Sequence, residues 1–412
     1  MTSSVELRGF GNEILGQVDL PDSKSMYNRA QVIRFLQKKI EPPATTAPED
    51  VQLLYKILSS DLQLLDAGHA GTAFRFATAV KSFTPGEWEL TGSPRMKERP
   101  IRLLVEALKK LGADIWYMER DGFPPLLIKG KKLECTGTVE IPGDVSSQFI
   151  SAVLMIGPYV KNGLKLRVSP PVLSRPYIDM TVNLMREAGA EVSVRENQYE
   201  VGEKPYQNTD LRVEKDWSSA SYFLAMLLAQ ERGRLFFPGL SKSSSQGDSK
   251  ISDWFEKMGM RATESADGIH YQMNGLSLET QSISLDFSNV PDMAQTFACL
   301  FLKKGIGARF SGCDNLNLKE TNRLDKLREL AVKCGAKMLP GSHGELNFDP
   351  PEKLRELPPL PVYDDHRMAM SQAVFSCNDG RVIIQNPGVV KKSFPDFWTQ
   401  VRKMGFSVTM HQ

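Results

Sequence analysis

LRELAVKCGAKML, residues 327–339, is an amphipathic helical stretch followed by a short β-like run, with a glycine between them. Leu327, Leu330, Ala331 and Cys334 recur at the three- and four-residue spacing of one helix face. Gly335 stands where a helix ends in the left-handed conformation, which a residue without Cβ adopts most readily. The pattern is written four more times: LLVEALKKLGADIWY (103–117), VNLMREAGAEVSV (182–194), WFEKMGMRAT (254–263) and FWTQVRKMGFSV (397–408). The stop glycines Gly112, Gly189, Gly259, Gly335 and Gly405 lie 77, 70, 76 and 70 residues apart. A supersecondary unit repeated at nearly constant period is the first reading of the chain.

A second series interleaves with the first. Apolar helices open on small or polar residues at Ser25, Thr72, Ser147, Ser218, Asp292 and His366, and the last four steps are 75, 71, 74 and 74 residues. The first step is only 47, and EDVQLLYKILSSDLQLLDAG (49–68) reads as a shortened copy without a stop glycine. Six units in two sets of three predict two similar α/β lobes, with apolar helices inside and amphipathic ones outside. A length of 412 residues fits two domains.

Composition narrows the partners. Lys and Arg number 51 against 49 Asp and Glu, a net charge of +2, so a general polyanion binder is excluded and any cationic site is local. The five cysteines are scattered and form no CxxC or Cys/His pairing, which points away from a disulfide framework or zinc site and toward a reducing cytoplasm. MTSSVELRGFGN lacks the build of a signal peptide, and FISAVLMIGPYV (149–160) and ASYFLAMLLA (220–229) are too short to span a bilayer. A stand-alone, monomeric cytoplasmic protein is expected.

The outer helices begin in an unusual way. They are preceded by PRMKERPI (94–101), LSRPYID (173–179), KSSSQGDSK (242–250), NLKETNRL (317–324) and VVKKSFPDF (389–397), and four of the five are read as carrying Arg or Lys at or just before the first turn. Cations at a helix N-terminus oppose the helix dipole. Together with the unpaired N–H donors of the first turn they make an anion site, suited to phosphate or carboxylate. One such cluster is ordinary surface charge; four in register with a repeat point to anionic ligands.

Nine motifs, PDSKSMYNRA, DAGHAGTAFR, RMKERPI, VSSQF, SRPYID, VPDMA, LKETNRL, YDDHRMAM and KKSFPDF, in this order from about residue 21 to 398, resemble the 5-enolpyruvylshikimate-3-phosphate (EPSP) synthase family. The resemblance implies an α/β, two-lobed enolpyruvyl transferase fold, each lobe three βαβαββ repeats. One lobe would comprise residues 1–20 plus 215–412, the other residues 21–214. It further implies transfer of the enolpyruvyl group of phosphoenolpyruvate to the 5-hydroxyl of shikimate 3-phosphate, with release of phosphate through a tetrahedral intermediate. Neither a metal nor another cofactor is expected.

Carried over by motif, the resemblance assigns phosphoenolpyruvate to Lys24, Gly71, Arg99, Gln148, Arg323, Arg367 and Lys392. It assigns shikimate 3-phosphate to Lys24, Ser25, Arg29, Ser146, Ser147, Gln148, Ser174, Tyr177, Asp292, Asn315 and Lys319. Asp292 and Glu320 are the implied proton handlers, as acceptor near the 5-hydroxyl and donor to the methylene carbon, with Lys24 a further proton-transfer candidate. His366 is expected to set Arg367. Because these residues are drawn from both lobes and like charges would repel across an empty cleft, closure is expected, with shikimate 3-phosphate binding first. Read alone, Asp292 is better explained as a helix N-cap and Glu320 as a surface ion-pair partner; their place in the matched motifs is what lifts both.

Three positions depart from the family pattern: His69 for Asn, Phe76 for Pro and Val389 for Cys. They bear on the local shape around Gly71. Two other readings compete. A sister transferase acting on a UDP-linked amino sugar would carry a reactive cysteine in the GSPRMKERP loop, which has none. A nucleic-acid-binding protein would interleave stacking aromatics with its cations, and ETNRL, DDHRM and RMKER have none.

Overall fold

The computed structural model describes residues 3–11, 13–275 and 282–411. Of the N-terminal stretch read above, Met1, Thr2 and Asn12 lie outside the described residues. The chain divides into two compact units, Met1–Ser23 with Glu214–Gln412, and Lys24–Val213. Each has its own apolar core.

One topology is used repeatedly. In residues 139–201 the order is strand Val139–Pro142, helix Ser147–Ile156, strand Leu164–Ser169, helix Arg175–Glu187, then the hairpin strands Val192–Arg195 and Gln198–Val201. The first two strands pair in parallel, as a helical crossover permits. The last strand pairs antiparallel with the second and leaves the third at the edge. Sheets beginning at Leu64–Asp66 and Ser282–Asp286 follow the same order. So does the sheet of Ile14–Gln17, whose parallel partner is Arg232–Pro238, although all of residues 24–213 intervene in the chain. The chain leaves this unit and returns side by side: Asp22 bridges Lys215, and Ser23 N donates to Glu214 O at 2.8 Å.

The last copy is permuted. Ser4–Arg8 lies between Arg381–Gln385 and Ser407–His411, antiparallel to both, so the first strand of the chain completes the final sheet. The copy that the sequence shows as shortened consists of helices Lys24–Leu36 and Glu49–Ser59, with no sheet of its own among the described residues.

The two helix series separate by burial. Every residue of helices Trp217–Gln230 and His366–Gln372 is buried, whereas Arg102–Lys110 and Arg323–Cys334 bury one face. A helix buried all round must satisfy its polar side chains internally. Ser221, Thr296 and Ser371, one from each inner helix of the larger unit, do so with hydroxyl contacts of 3.2 and 3.4 Å. The five stop glycines all have φ between 83° and 99°. Among the described residues no helix is long and apolar enough to cross a membrane.

Candidate active site

In the larger unit the helix Arg323–Cys334 starts with a guanidinium that is 1% exposed. Arg323 Nε donates to Asp365 Oδ2 at 2.6 Å, Nη1 to Asp292 Oδ1 at 2.7 Å, and Nη2 to Glu320 Oε2 at 2.7 Å and Asp365 Oδ1 at 3.2 Å. Four of its five N–H groups thus serve three carboxylates. Around this centre Arg367 Nη2 lies 3.1 Å from Asp292 Oδ2, Lys319 Nζ 3.6 Å from Asp292 Oδ1, and Lys392 Nζ 3.1 Å from Glu320 Oε1. Asp365 also caps the next inner helix, accepting from Arg367 N at 2.9 Å. His366, buried beside it, has Nδ1 3.9 Å from Asp365 Oδ1.

The bland readings of the two acids do not describe this arrangement. Asp292 lies in the 3-10 turn Pro291–Met293, and the recorded partners of its oxygens are cations rather than helix amides. Glu320 is only 15% exposed, between two buried cations, rather than in a surface pair. Burial alone would raise the pKa of Asp292. The charges of Arg367, Lys319 and Arg323 outweigh that and hold the carboxyl well below the usual carboxylate range. Burial would likewise lower Arg323, but Asp365, Glu320 and Asp292 raise it, so it stays charged. Asn315 sits in the preceding turn Asp314–Leu318. Asn317, which sequence reasoning passed over, accepts from Leu324 N at 2.9 Å and ties that turn to the helix start.

The smaller unit holds a second group. Lys24, first in helix Lys24–Leu36, pairs with buried Asp50 at 3.0 Å. Arg29, one turn on and 2% exposed, donates to Thr181 Oγ1, Ser151 Oγ and Ser25 O at 2.6, 3.1 and 2.8 Å. Burial lowers its pKa to about 10, which leaves it cationic at neutral pH. Its guanidinium also lies 5.4 Å from the ring of Phe76. Ser146 and Ser174 hold the N-cap positions of helices Ser147–Ile156 and Arg175–Glu187 without bonding their side chains to the helix. Ser174 is left-handed, with φ 56° and ψ 34°. Such strain in a non-glycine residue recurs at functional sites. Tyr177 follows in the first turn, its N donating to Ser174 O at 3.1 Å.

Gly71 opens helix Gly71–Phe83, and a Cβ there would lie 2.5 Å from Arg99 Nη1 and 2.6 Å from Arg75 Nη1. The glycine lets two guanidinium groups approach the backbone, and Arg75 Nη1 donates to Gly71 O at 2.9 Å. Gln148 Nε2 donates to Thr72 Oγ1 at 2.9 Å, while its buried Oε1 has no hydrogen-bond partner among the described residues. His69 Nδ1 lies 3.1 Å from Ser93 Oγ, which joins the Gly71 turn to the one leading to Arg99. Val389 packs against the core of the larger unit.

Not every helix-start cation is available to a ligand. Arg175 donates to Asn197 Oδ1 and Glu196 O, both at 2.8 Å, and so anchors the following hairpin. Asp50, Arg75, Asp365, Ser218 and Tyr222 received no site role from the sequence. Arg75 and Asp365 stand inside the quoted motifs, so proximity in sequence could have found them; Asp50 could not be found that way. All five cysteines are buried, and burial raises Cys313, Cys334 and Cys377 to about 12, a poor setting for a cysteine nucleophile. Among the described residues no cluster of His, Cys, Asp and Glu could hold a metal ion.

The sequence model of EPSP synthase (3-phosphoshikimate 1-carboxyvinyltransferase) matches residues 11–401. A 3-phosphoshikimate 1-carboxyvinyltransferase of Bacteroides fragilis is 39% identical over 402 residues, covering 96% of this chain and 97% of that protein. One from Tolumonas auensis is 36% identical, covering 93% and 95%. Among solved structures, an EPSP synthase from Acinetobacter baumannii superposes with a TM-score of 0.75 at 18% identity, with full coverage of both chains. A match over nearly the whole length, from both sequence and fold, decides the matter: the chain belongs to the EPSP synthase family.

Proposed function

We propose that this protein is a 3-phosphoshikimate 1-carboxyvinyltransferase, transferring the enolpyruvyl group of phosphoenolpyruvate to the 5-hydroxyl of shikimate 3-phosphate with release of phosphate. Family membership and 34–39% identity to relatives of that name support the activity. The observation that carries the residue assignment is the carboxylate pair Asp292 and Glu320, joined through Arg323 and surrounded by Lys319, Arg367 and Lys392.

In this reading Lys24, Gly71, Arg99, Gln148, Arg323, Arg367 and Lys392 receive phosphoenolpyruvate, the arginines by bidentate contact with its carboxylate and phosphate. Lys24, Ser25, Arg29, Ser146, Ser147, Gln148, Ser174, Tyr177, Asp292, Asn315 and Lys319 receive shikimate 3-phosphate. The hydroxyls of Ser146 and Ser174 suit a phosphate, and the buried amide oxygen of Gln148 suits a donating hydroxyl. Asp292 takes the proton from the 5-hydroxyl as its oxygen attacks C2 of phosphoenolpyruvate. Glu320 delivers a proton to the methylene carbon, giving a tetrahedral intermediate. Elimination reverses the methyl proton transfer and expels phosphate. The substrate's anionic groups compete with Asp292 and Glu320 for the same cations. As those contacts weaken, Asp292 gains proton affinity at the step where it must accept a proton. Lys24 is a third candidate for proton transfer, steered by Asp50.

We also place the protein in the cytoplasm as a monomer; its five free, buried cysteines support the reducing compartment. The test is phosphate release from phosphoenolpyruvate with shikimate 3-phosphate as acceptor, with UDP-N-acetylglucosamine as the competing acceptor. Release with the first alone is expected. Release with the second alone, or with neither in folded protein, would overturn the assignment.

A further inference from the structure

One of the five outer-helix starts, KSSSQGDSK, is read from sequence as lacking the helix-start cation, yet its Lys250 takes the N-cap position of helix Ile251–Lys257, and the function above makes no use of this turn. There Asp248 lies in the 3-10 turn Gly247–Lys250 and is 3% exposed. Its Oδ2 accepts a hydrogen bond from Ser218 Oγ on the inner helix Trp217–Gln230. Ser218 occupies the place in its repeat that Asp292 occupies in the next, 74 residues on. Arg367 Nη2 donates to Ser218 Oγ at 3.4 Å, and Arg367 Nη1 donates to Tyr222 OH, one turn along that helix, at 3.1 Å. Asp292 holds the same guanidinium at 3.1 Å. Ser218, Tyr222 and Arg367 are all buried.

We propose that Asp248 is a positioning residue for phosphoenolpyruvate binding, acting through Ser218 to fix the guanidinium of Arg367. A serine hydroxyl has one hydrogen to give. With that hydrogen committed to Asp248, the lone pairs of Ser218 face Arg367 as acceptors, and the anion behind them balances a buried cation. The arrangement has a use in the reaction. Asp292 changes protonation during turnover and its hold on Arg367 weakens when it is neutral; Ser218, backed by Asp248, and Tyr222 keep their hold throughout. Burial raises Asp248 while Ser218 and Arg367 draw it down, leaving a carboxyl near 6 that is ionised at mildly alkaline pH.

The proposal rests on Arg367 contacting phosphoenolpyruvate, so the experiment includes Arg367→Ala beside Ser218→Ala, Asp248→Asn and the double variant, assayed at mildly alkaline pH after thermal melts. Ser218→Ala and Asp248→Asn are each expected to raise KM for phosphoenolpyruvate about tenfold and leave KM for shikimate 3-phosphate within about twofold. The double variant should be no worse than the worse single, because both break one link. An unchanged phosphoenolpyruvate KM in the singles, with a raised one in Arg367→Ala, overturns the proposal and leaves the assigned function standing. An unchanged value in Arg367→Ala overturns the assignment of Arg367 and the proposal with it. Equal rises for both substrates would make the role purely structural, and multiplicative effects in the double variant would refute the link through Ser218. If Asp248→Asn does not fold, the substrate split in Ser218→Ala decides.

Discussion

Glu320 shares Arg323 with Asp292 and Asp365 and holds Lys392 at 3.1 Å, so its replacement by Gln keeps the size but removes a charge and a proton. Turnover of Glu320→Gln should fall about 10²- to 10⁴-fold, as for loss of a general acid, with smaller changes in either KM. Lost affinity with normal turnover would make it a binding residue. Gly71→Ala acts differently. Its Cβ meets the ends of two flexible side chains, Arg99 and Arg75, so the fold should survive while those guanidinium groups move. KM for phosphoenolpyruvate should rise and that for shikimate 3-phosphate change little; matched losses with a lower melting temperature would indicate misfolding. Asp248 gives a pH signature. Its folded pKa of about 6 exceeds the roughly 3.9 of an unfolded Asp, so its stabilising share is complete below about pH 4 and lost as pH rises through about 6. Asp292 and Glu6 are shifted the opposite way, so the comparison must be with Asp248→Asn. The wild-type melting temperature relative to that variant should decline from about pH 4 to about pH 7. A difference constant across that window would contradict the shift.

Among the elements, the strand Ser4–Arg8 should be costly to lose despite its short length. It is the middle strand of a three-stranded sheet, and Val5 and Leu7 are fully buried. Leu7→Ala should destabilise the protein by about 2–5 kcal/mol in urea unfolding, the range for a leucine truncated in a core. A cost below about 1 kcal/mol would mean that Leu7 is not packed in the core. The helix starts teach a related point. The same cation-bearing pattern has different fates: Arg175 anchors a hairpin, whereas Arg323 orders three carboxylates. Both residues obey the same local rule, and their different partners set their roles.

At the scale of the whole molecule the two units differ in how they are encoded. Lys24–Val213 is continuous in sequence and has its own core, whereas the other unit needs residues at both ends of the chain. Expressed alone, residues 24–213 should be soluble and melt cooperatively. Residues 214–412 alone should aggregate or remain unfolded, and co-expression with residues 1–23 should improve their yield. A cooperative melt from 214–412 alone would refute the dependence on the N-terminal strands.

The sequence by itself determined the repeat, the inner and outer helices and the motif residues. Each is recorded locally: in a 3.6-residue periodicity, in a glycine at a left-handed turn, or in a few adjacent side chains. Gly335 and its counterparts needed nothing beyond their own φ to be legible. The partners of those residues were decided only in three dimensions. Asp365 reaches Arg323 across 42 residues, Lys392 reaches Glu320 across 72, and Asp248 reaches Ser218 across 30. No local rule couples such positions, and the protonation of Asp292 depends on cations from two separate segments, Lys319 with Arg323 and Arg367. The permuted sheet has the same origin. A strand's sequence specifies which face is buried, but the choice of neighbour is made by the packing of the whole unit.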